Sequence, residues 1–221
     1  MNAVSPISAD MRAIFDAQRQ AFRRAGAPSL HERRADLKKL ADAIGRSRER
    51  LMAAISADFG HRSRHETELG ELFPAQSAIR HTLAHLARWM RPKRVAVGLE
   101  LLPAGARILY QPVGVVGIIS PWNYPFNLAI VPLVAALAAG NRVMLKPSEL
   151  TPRTSDFLAE LLAGLFPTEQ IATIVGGCAP ALRPFVLYRL DQCRTPGHAG
   201  GGRQSDAGHA RARRQIALHR R

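Results

Sequence analysis

Gly114-Val-Val-Gly-Ile-Ile-Ser-Pro-Trp-Asn-Tyr-Pro-Phe126 and, one strand-helix-strand unit later, Leu145-Lys-Pro-Ser-Glu-Leu-Thr-Pro152 decide how this chain folds. The first is an unbroken apolar run that stops at a turn bracketed by Pro121 and Pro125 and carrying one amide, Asn123. The second stops at Lys146-Pro-Ser-Glu149. Short apolar runs bounded by turn residues read as strands buried on both faces. Two such strands joined by a helix run parallel, so both turns are expected at one sheet edge, where open α/β sheets bind ligands.

On either side of these turns the same logic extends the α/β unit. Val113 to Ser120 reads as a strand, Leu128 to Ala139 as a helix stopped by Gly140-Asn141, and Val143 to Lys146 as a strand. Thr154 to Leu165 then reads as a helix and Ile171 to Val175 as a strand. Gly114 and Gly117 are expected to let a helix approach the sheet closely. Upstream, residues 8–25 and 30–57 space their apolar groups helically (Met11, Ile14, Phe15, Phe22; then Leu37, Leu40, Ile44, Leu51, Ile55). A third helix is predicted from about Glu66 to Met90, its apolar face made of Leu69, Leu72, Phe73, Ile79, Leu83, Leu86 and Trp89. Val95 to Leu102 and Ala106 to Gln111 flank a Pro103-Ala-Gly105 turn and read as a β-hairpin. The chain therefore divides into a helical segment (1–92), a hairpin (93–112), a partial α/β domain (113–177) and a tail (178–221). In the tail periodicity vanishes, Lys disappears and Gly200-Gly-Gly202 interrupts any helix, so disorder is expected there.

The net charge of +14 would point to nucleic acid if it were clustered on a folded surface. Half of it lies in the tail, where nine Arg face only Asp191 and Asp206 for a net +7. The rest is spread through mixed-sign helices, with no aromatic stacking series beside it, so no nucleic-acid partner is expected. The longest apolar stretch, Leu128 to Gly140, is interrupted by Pro132 and falls short of the roughly 18 residues a spanning helix needs, so no membrane partner is expected either. The absence of a basic-then-apolar leader points to the cytoplasm. Cys178 and Cys193 form no metal pattern, and His61, His65, His81 and His85, with Glu66 and Glu68, read as solvated faces, so no metal site is expected.

With Pro121-Trp-Asn-Tyr-Pro-Phe126 and Lys146-Pro-Ser-Glu-Leu-Thr-Pro152 at this separation, residues from about 10 to 177 resemble the amino-terminal part of an aldehyde dehydrogenase. Ser56-Ala-Asp-Phe-Gly-His-Arg-Ser-Arg-His-Glu-Thr67 and Arg88-Trp-Met-Arg-Pro92 are similar in particular to the coniferyl aldehyde dehydrogenase branch. The resemblance implies an α/β fold: amino-terminal helices, a β-hairpin oligomerisation arm and an incomplete Rossmann-like parallel sheet. That sheet holds NAD or NADP without a Gly-x-Gly-x-x-Gly fingerprint. The resemblance further implies that Asn123 donates to the oxyanion of an aldehyde under thiolate attack. Lys146 and Glu149 would bond the adenosine ribose, and Ile119, Ser120, Pro121 and Trp122 would line the cofactor cleft. Ser148, small and neutral, leaves room for a 2′-phosphate. The implied partners are an aldehyde substrate and, for the intact family, further copies of the chain. Taken alone, Asn123 would instead cap the helix that follows, Lys146 and Glu149 would be exposed loop charges, and Pro121 and Trp122 would be packing.

The family's downstream parts are missing: the nucleophilic Cys, the general-base Glu in Leu-Glu-Leu-Gly-Gly-Lys-Ser-Pro, and the Gly-Ser-Thr loop. Neither Cys178 nor Cys193 stands in the nucleophile's context, so no dehydrogenase turnover is expected of this chain by itself. The genetic code supplies a reason. Read one base later, with allowed synonymous codons, Ala181 to Thr195 becomes Pro-Phe-Asp-His-Leu-Phe-Phe-Thr-Gly-Ser-Thr-Ser-Val-Gly. Gln204 to Leu218 likewise becomes Asn-Leu-Thr-Pro-Val-Thr-Leu-Glu-Leu-Gly-Gly-Lys-Ser-Pro. Two family segments in order suggest, as a hypothesis, a one-base frame change between Gly176 and Pro180, which resequencing of the gene across those codons checks. A chain so altered would be an interaction module docking on intact subunits, or an inert fragment, if it is not an enzyme.

Overall fold

Helices dominate the first ninety residues of this computed structural model, which describes residues 9–101, 103–176, 186–189 and 213–219. Helix α1 (Ala9–Ala25) stops at Gly26, whose φ of +74° suits a residue without a side chain. Ser29 and Glu32 then form a reciprocal capping box at the start of α2 (Leu30–Arg46). The single helix expected over 30–57 is two: α2 ends at Ser47 and α3 (Arg48–Phe59) starts at once. Gly45 and Ser47, both weak helix formers, sit at that bend. After α4 (Arg64–Thr67) comes one π-helical turn, Glu68–Leu72, which leads into α5 (Phe73–Trp89). A π turn adds a residue to the helical period and so rotates what precedes it. Leu69 and Phe73, assigned by spacing to the apolar face, consequently stand exposed at 69% and 56%, while Glu71 is fully buried.

Strands β1 (Lys93–Val95) and β2 (Gly105–Gln111) pair antiparallel, with Val95 opposite Ala106. The hairpin exists, but its first strand is earlier and shorter than expected. The chain turns through a 3-10 segment at Leu99–Leu101 instead of continuing as a ladder.

The α/β unit follows as β3 (Val115–Ile119), α6 (Asn127–Ala138), β4 (Arg142–Lys146), α7 (Pro152–Ala163) and β5 (Ile171–Thr173). β3 and β5 both run parallel to β4, as the apolar runs predict. Leu37, Leu40, Ile44, Ile55, Leu72, Ile79 and Leu86 from the helices close over Ile130, Leu133 and Leu145 in one core. Buried polar side chains stitch the layers: the Gln18 amide donates to the carbonyls of Val143 and Thr168, and Asn141 Oδ1 accepts from the amides of Val113 and Gly114. Arg33 donates to the Ala138 carbonyl at the end of α6. Gly114 serves conformation rather than close packing: its φ is +109°, and an added Cβ would only touch Phe22 at 3.8 Å.

Two short strands come from the tail. Val186–Arg189 forms β6, antiparallel to β3, and Arg213–His219 forms β7, antiparallel to β2. An open sheet edge presents unpaired N–H and C=O groups that recruit extended backbone with little regard for sequence. The order of the main sheet is thus β5-β4-β3-β6. Cys178 and Cys193 lie outside the described residues.

Candidate active site

Ile119 and Lys146 are paired residues at the carboxyl ends of the neighbouring parallel strands β3 and β4. The Ser120 amide extends this pairing by donating to the Lys146 carbonyl at 3.0 Å. Both turns therefore spring from adjacent points on one sheet edge, the juxtaposition that the spacing of the two motifs requires.

On the Lys146 side, the ammonium pairs with the Glu149 carboxylate one turn along. That hydrogen bond, before any other cause, holds the Glu149 carboxyl below its ordinary range. Ser148 is buried, and its hydroxyl accepts from the Leu150 amide while its carbonyl accepts from the Ser155 hydroxyl, so the loop is folded on itself. Asp58 reaches across from α3 to take the Arg153 and Thr154 amides at the start of α7 at 3.0 and 2.8 Å. The loop between β4 and α7 is thereby anchored at both ends.

On the Asn123 side, Ser120 is buried with an unpartnered hydroxyl at the mouth of the edge. Pro121 is half-buried and Trp122 is 52% exposed, its ring stacked on Phe59 with centroids 6.4 Å apart. Asn123 is exposed. It does not cap α6, whose N-cap is Phe126 without a side-chain capping bond.

The capping falls to a residue that the sequence reading passed over. Glu71, on the π turn, accepts from the Asn127 amide at 2.7 Å through Oε2. Burial pushes its carboxyl up to about 7, against the opposing pull of the Asn127 amide and of Arg62. Arg62, its side chain only 8% exposed, donates from Nη1 both to Glu71 at 3.4 Å and to the Asn123 carbonyl at 3.1 Å. Its Nε and Nη2 hold Glu66, and its guanidinium lies over the rings of Phe59 and Tyr124 at 4.4 and 4.7 Å. Gly70 completes the approach, since a Cβ there would stand 2.7 Å from the Tyr124 ring. The available signal was a carboxylate beside Leu72 in an otherwise apolar helical phase, and the π turn hid it.

His81 and His85 stack on α5 with ring centroids 4.2 Å apart, next to Trp89. No group of three metal-ligating side chains occurs among the described residues. No helix among them is long and apolar enough to cross a membrane.

An orphaned hydroxyl, a cation-carboxylate pair and an exposed amide give this parallel edge hydrogen-bond donors and acceptors on two neighbouring turns. The aldehyde dehydrogenase family model matches residues 5–186. The probable coniferyl aldehyde dehydrogenase of Pseudomonas aeruginosa is 46% identical over 166 residues, which cover 75% of this chain and 35% of that protein. Among solved structures, substrate-bound AldH of Staphylococcus aureus superposes with a TM-score of 0.72 at 32% identity, covering 76% of this chain and 36% of that one. PnpE in complex with nicotinamide adenine dinucleotide does so with a TM-score of 0.65 at 28% identity, covering 75% and 33%. The chain thus spans little more than a third of the relatives it matches. With the match covering most of its length and both edge turns in place, the chain belongs to the aldehyde dehydrogenase family.

Proposed function

We propose that this chain is the cofactor-edge portion of an enzyme that oxidises an aldehyde, coniferyl aldehyde by resemblance to the Pseudomonas aeruginosa relative, to the carboxylic acid with NAD or NADP. The supporting observation is the pairing of Ile119 with Lys146, which brings the amide turn and the lysine-glutamate turn to one edge. When bound there, the dinucleotide supplies the hydride acceptor.

The chain's own residues would do the following. Lys146 and Glu149 pair with each other, and a vicinal ribose diol can replace that pairing by accepting from the ammonium and donating to the carboxylate. Ser120 offers its free hydroxyl, and Ile119, Pro121 and Trp122 wall the cleft against water. Ser148 turns its hydroxyl into its own loop, so the position presents no charge to repel a 2′-phosphate. Asn123 would donate its amide to the carbonyl oxygen as negative charge grows there under nucleophilic attack. One such fixed donor contributes roughly 3–4 kcal/mol to the transition state. The thiol and the general base belong to the family's remaining two thirds.

A chimera tests the reading: residues 1–177 joined to the complementary part of the Pseudomonas aeruginosa relative. It should reduce NAD or NADP in the presence of an aldehyde. Asn123→Ala should lower its kcat by roughly 10²–10³ with little change in KM. An active chimera indifferent to Asn123→Ala would sink the proposed role.

A further inference from the structure

The Asn123 turn has no side-chain cap of its own, and its backbone is held from outside by Arg62, in the connection between α3 and α4, and by the π turn. Arg62 meets the Asn123 carbonyl, the Tyr124 ring and the Glu71 carboxylate at once, and Glu71 in turn takes the first amide of α6. We propose that Arg62 is a positioning residue of the site, tying the Asn123 turn to the buried carboxylate of Glu71 and so fixing the place from which the Asn123 amide donates. The inference rests on the reading of Asn123 as an oxyanion donor, and it names the residues that pre-organise that donor.

The physical case is one of reach and rigidity. A turn between two prolines can pivot as a unit, and an exposed side chain at its tip moves with the backbone carbonyl beside it. Arg62 is suited to stop this pivot because its planar fork donates in several directions at fixed angles. Its charge is confined by Glu66 on one side and Glu71 on the other, and its faces are covered by Phe59 and Tyr124. Phe59 also stacks on Trp122, so the clasp touches three consecutive residues of the turn. An oxyanion donor contributes to rate only when held where the charge develops, and a shift of about 1 Å can cost 10²-fold.

The test uses the full 221-residue chain with Trp89→Phe, which leaves Trp122 as the sole indole. In Arg62→Gln, hydrogen exchange of the amides within 123–128, Pro125 having none, should accelerate roughly 10-fold or more, the size implied by loss of charge-assisted hydrogen bonds. Trp122 emission should move to longer wavelength, while amides of β4 and α2 exchange as in the parent. Arg62→Lys, which keeps the charge without the fork, should recover part of both signals. Should Arg62→Gln fail to fold, Glu71→Gln, close in shape and uncharged, gives the second reading and should accelerate the Asn127 amide first. Unchanged exchange at 123–128, or acceleration there only in step with β4, overturns the proposal. Because these readouts need no cofactor or turnover, their failure is distinguishable from failure of the chimera.

Discussion

Glu71 shows how one buried carboxyl can serve a site and burden the fold at the same time. Its value of about 7, against an ordinary 4.5, reflects desolvation first, only partly offset by the Asn127 amide and Arg62. A carboxyl that binds its proton more tightly when folded stabilises the fold fully below the unfolded value, and this contribution is lost as pH rises through the folded one. Stability should therefore fall between about pH 4.5 and 7 by an amount on the order of 3 kcal/mol at most. Glu71→Gln should remove that slope, so the variant compares better with the parent at pH 8 than at pH 5. Urea unfolding at a series of pH values measures this, and an unchanged slope in the variant would assign the pH dependence elsewhere. Glu149 gives no matching argument, because its carboxylate is half exposed and its pairing with Lys146 is screened by water.

At the scale of elements, what the sequence disclosed and what it hid divide by mechanism. The strands and helices from β3 to β5 were legible because unbroken apolar runs and flanking Gly and Pro leave few alternatives. The parallel order followed from connection rules, and with it the meeting of the two turns. The amino-terminal helices were legible in kind but not in phase, since a junction at Ser47 and a π turn at Glu68–Leu72 each reset the period without a strong local signal. Contacts across layers were invisible for a different reason: Arg62 to Asn123 and Asp58 to Thr154 join residues far apart in sequence and ordinary in composition. Asp58 illustrates the cost of missing such a contact. It supplies α7 with the cap that Thr151 does not, taking two backbone amides and the Thr154 hydroxyl. Asp58→Ala should lower stability by about 1–2 kcal/mol in urea unfolding, the usual cost of an N-cap. It should also raise proteolytic cutting in the loop after Lys146, and a variant as stable and as resistant as the parent would show the cap to be dispensable.

At the scale of the whole molecule, the question is what covers β3 and β2. β3 would be an edge strand without β6, and β2 would be one without β7. Both covering strands come from the Arg-rich tail, and both pair antiparallel. β6 occupies residues 186–189, the same stretch that, read one base later, gives Phe-Phe-Thr-Gly, so under the frame-change hypothesis an edge is covered even though the side chains differ. Backbone pairing explains this tolerance, because ladder hydrogen bonds are indifferent to side-chain identity while register depends on it. It follows that residues 1–176 alone should leave β3 and β2 as edge strands and associate, the hairpin edge offering antiparallel pairing to a second copy. Sedimentation velocity over a range of concentrations should show the shortened chain forming dimers or larger species where the full chain stays smaller. A shortened chain that sediments as a monomer throughout would mean that β6 and β7 protect nothing. If association does appear, restoring residues 177–221 in trans as a peptide should reverse it, since an added strand caps an edge whether or not it is covalently attached.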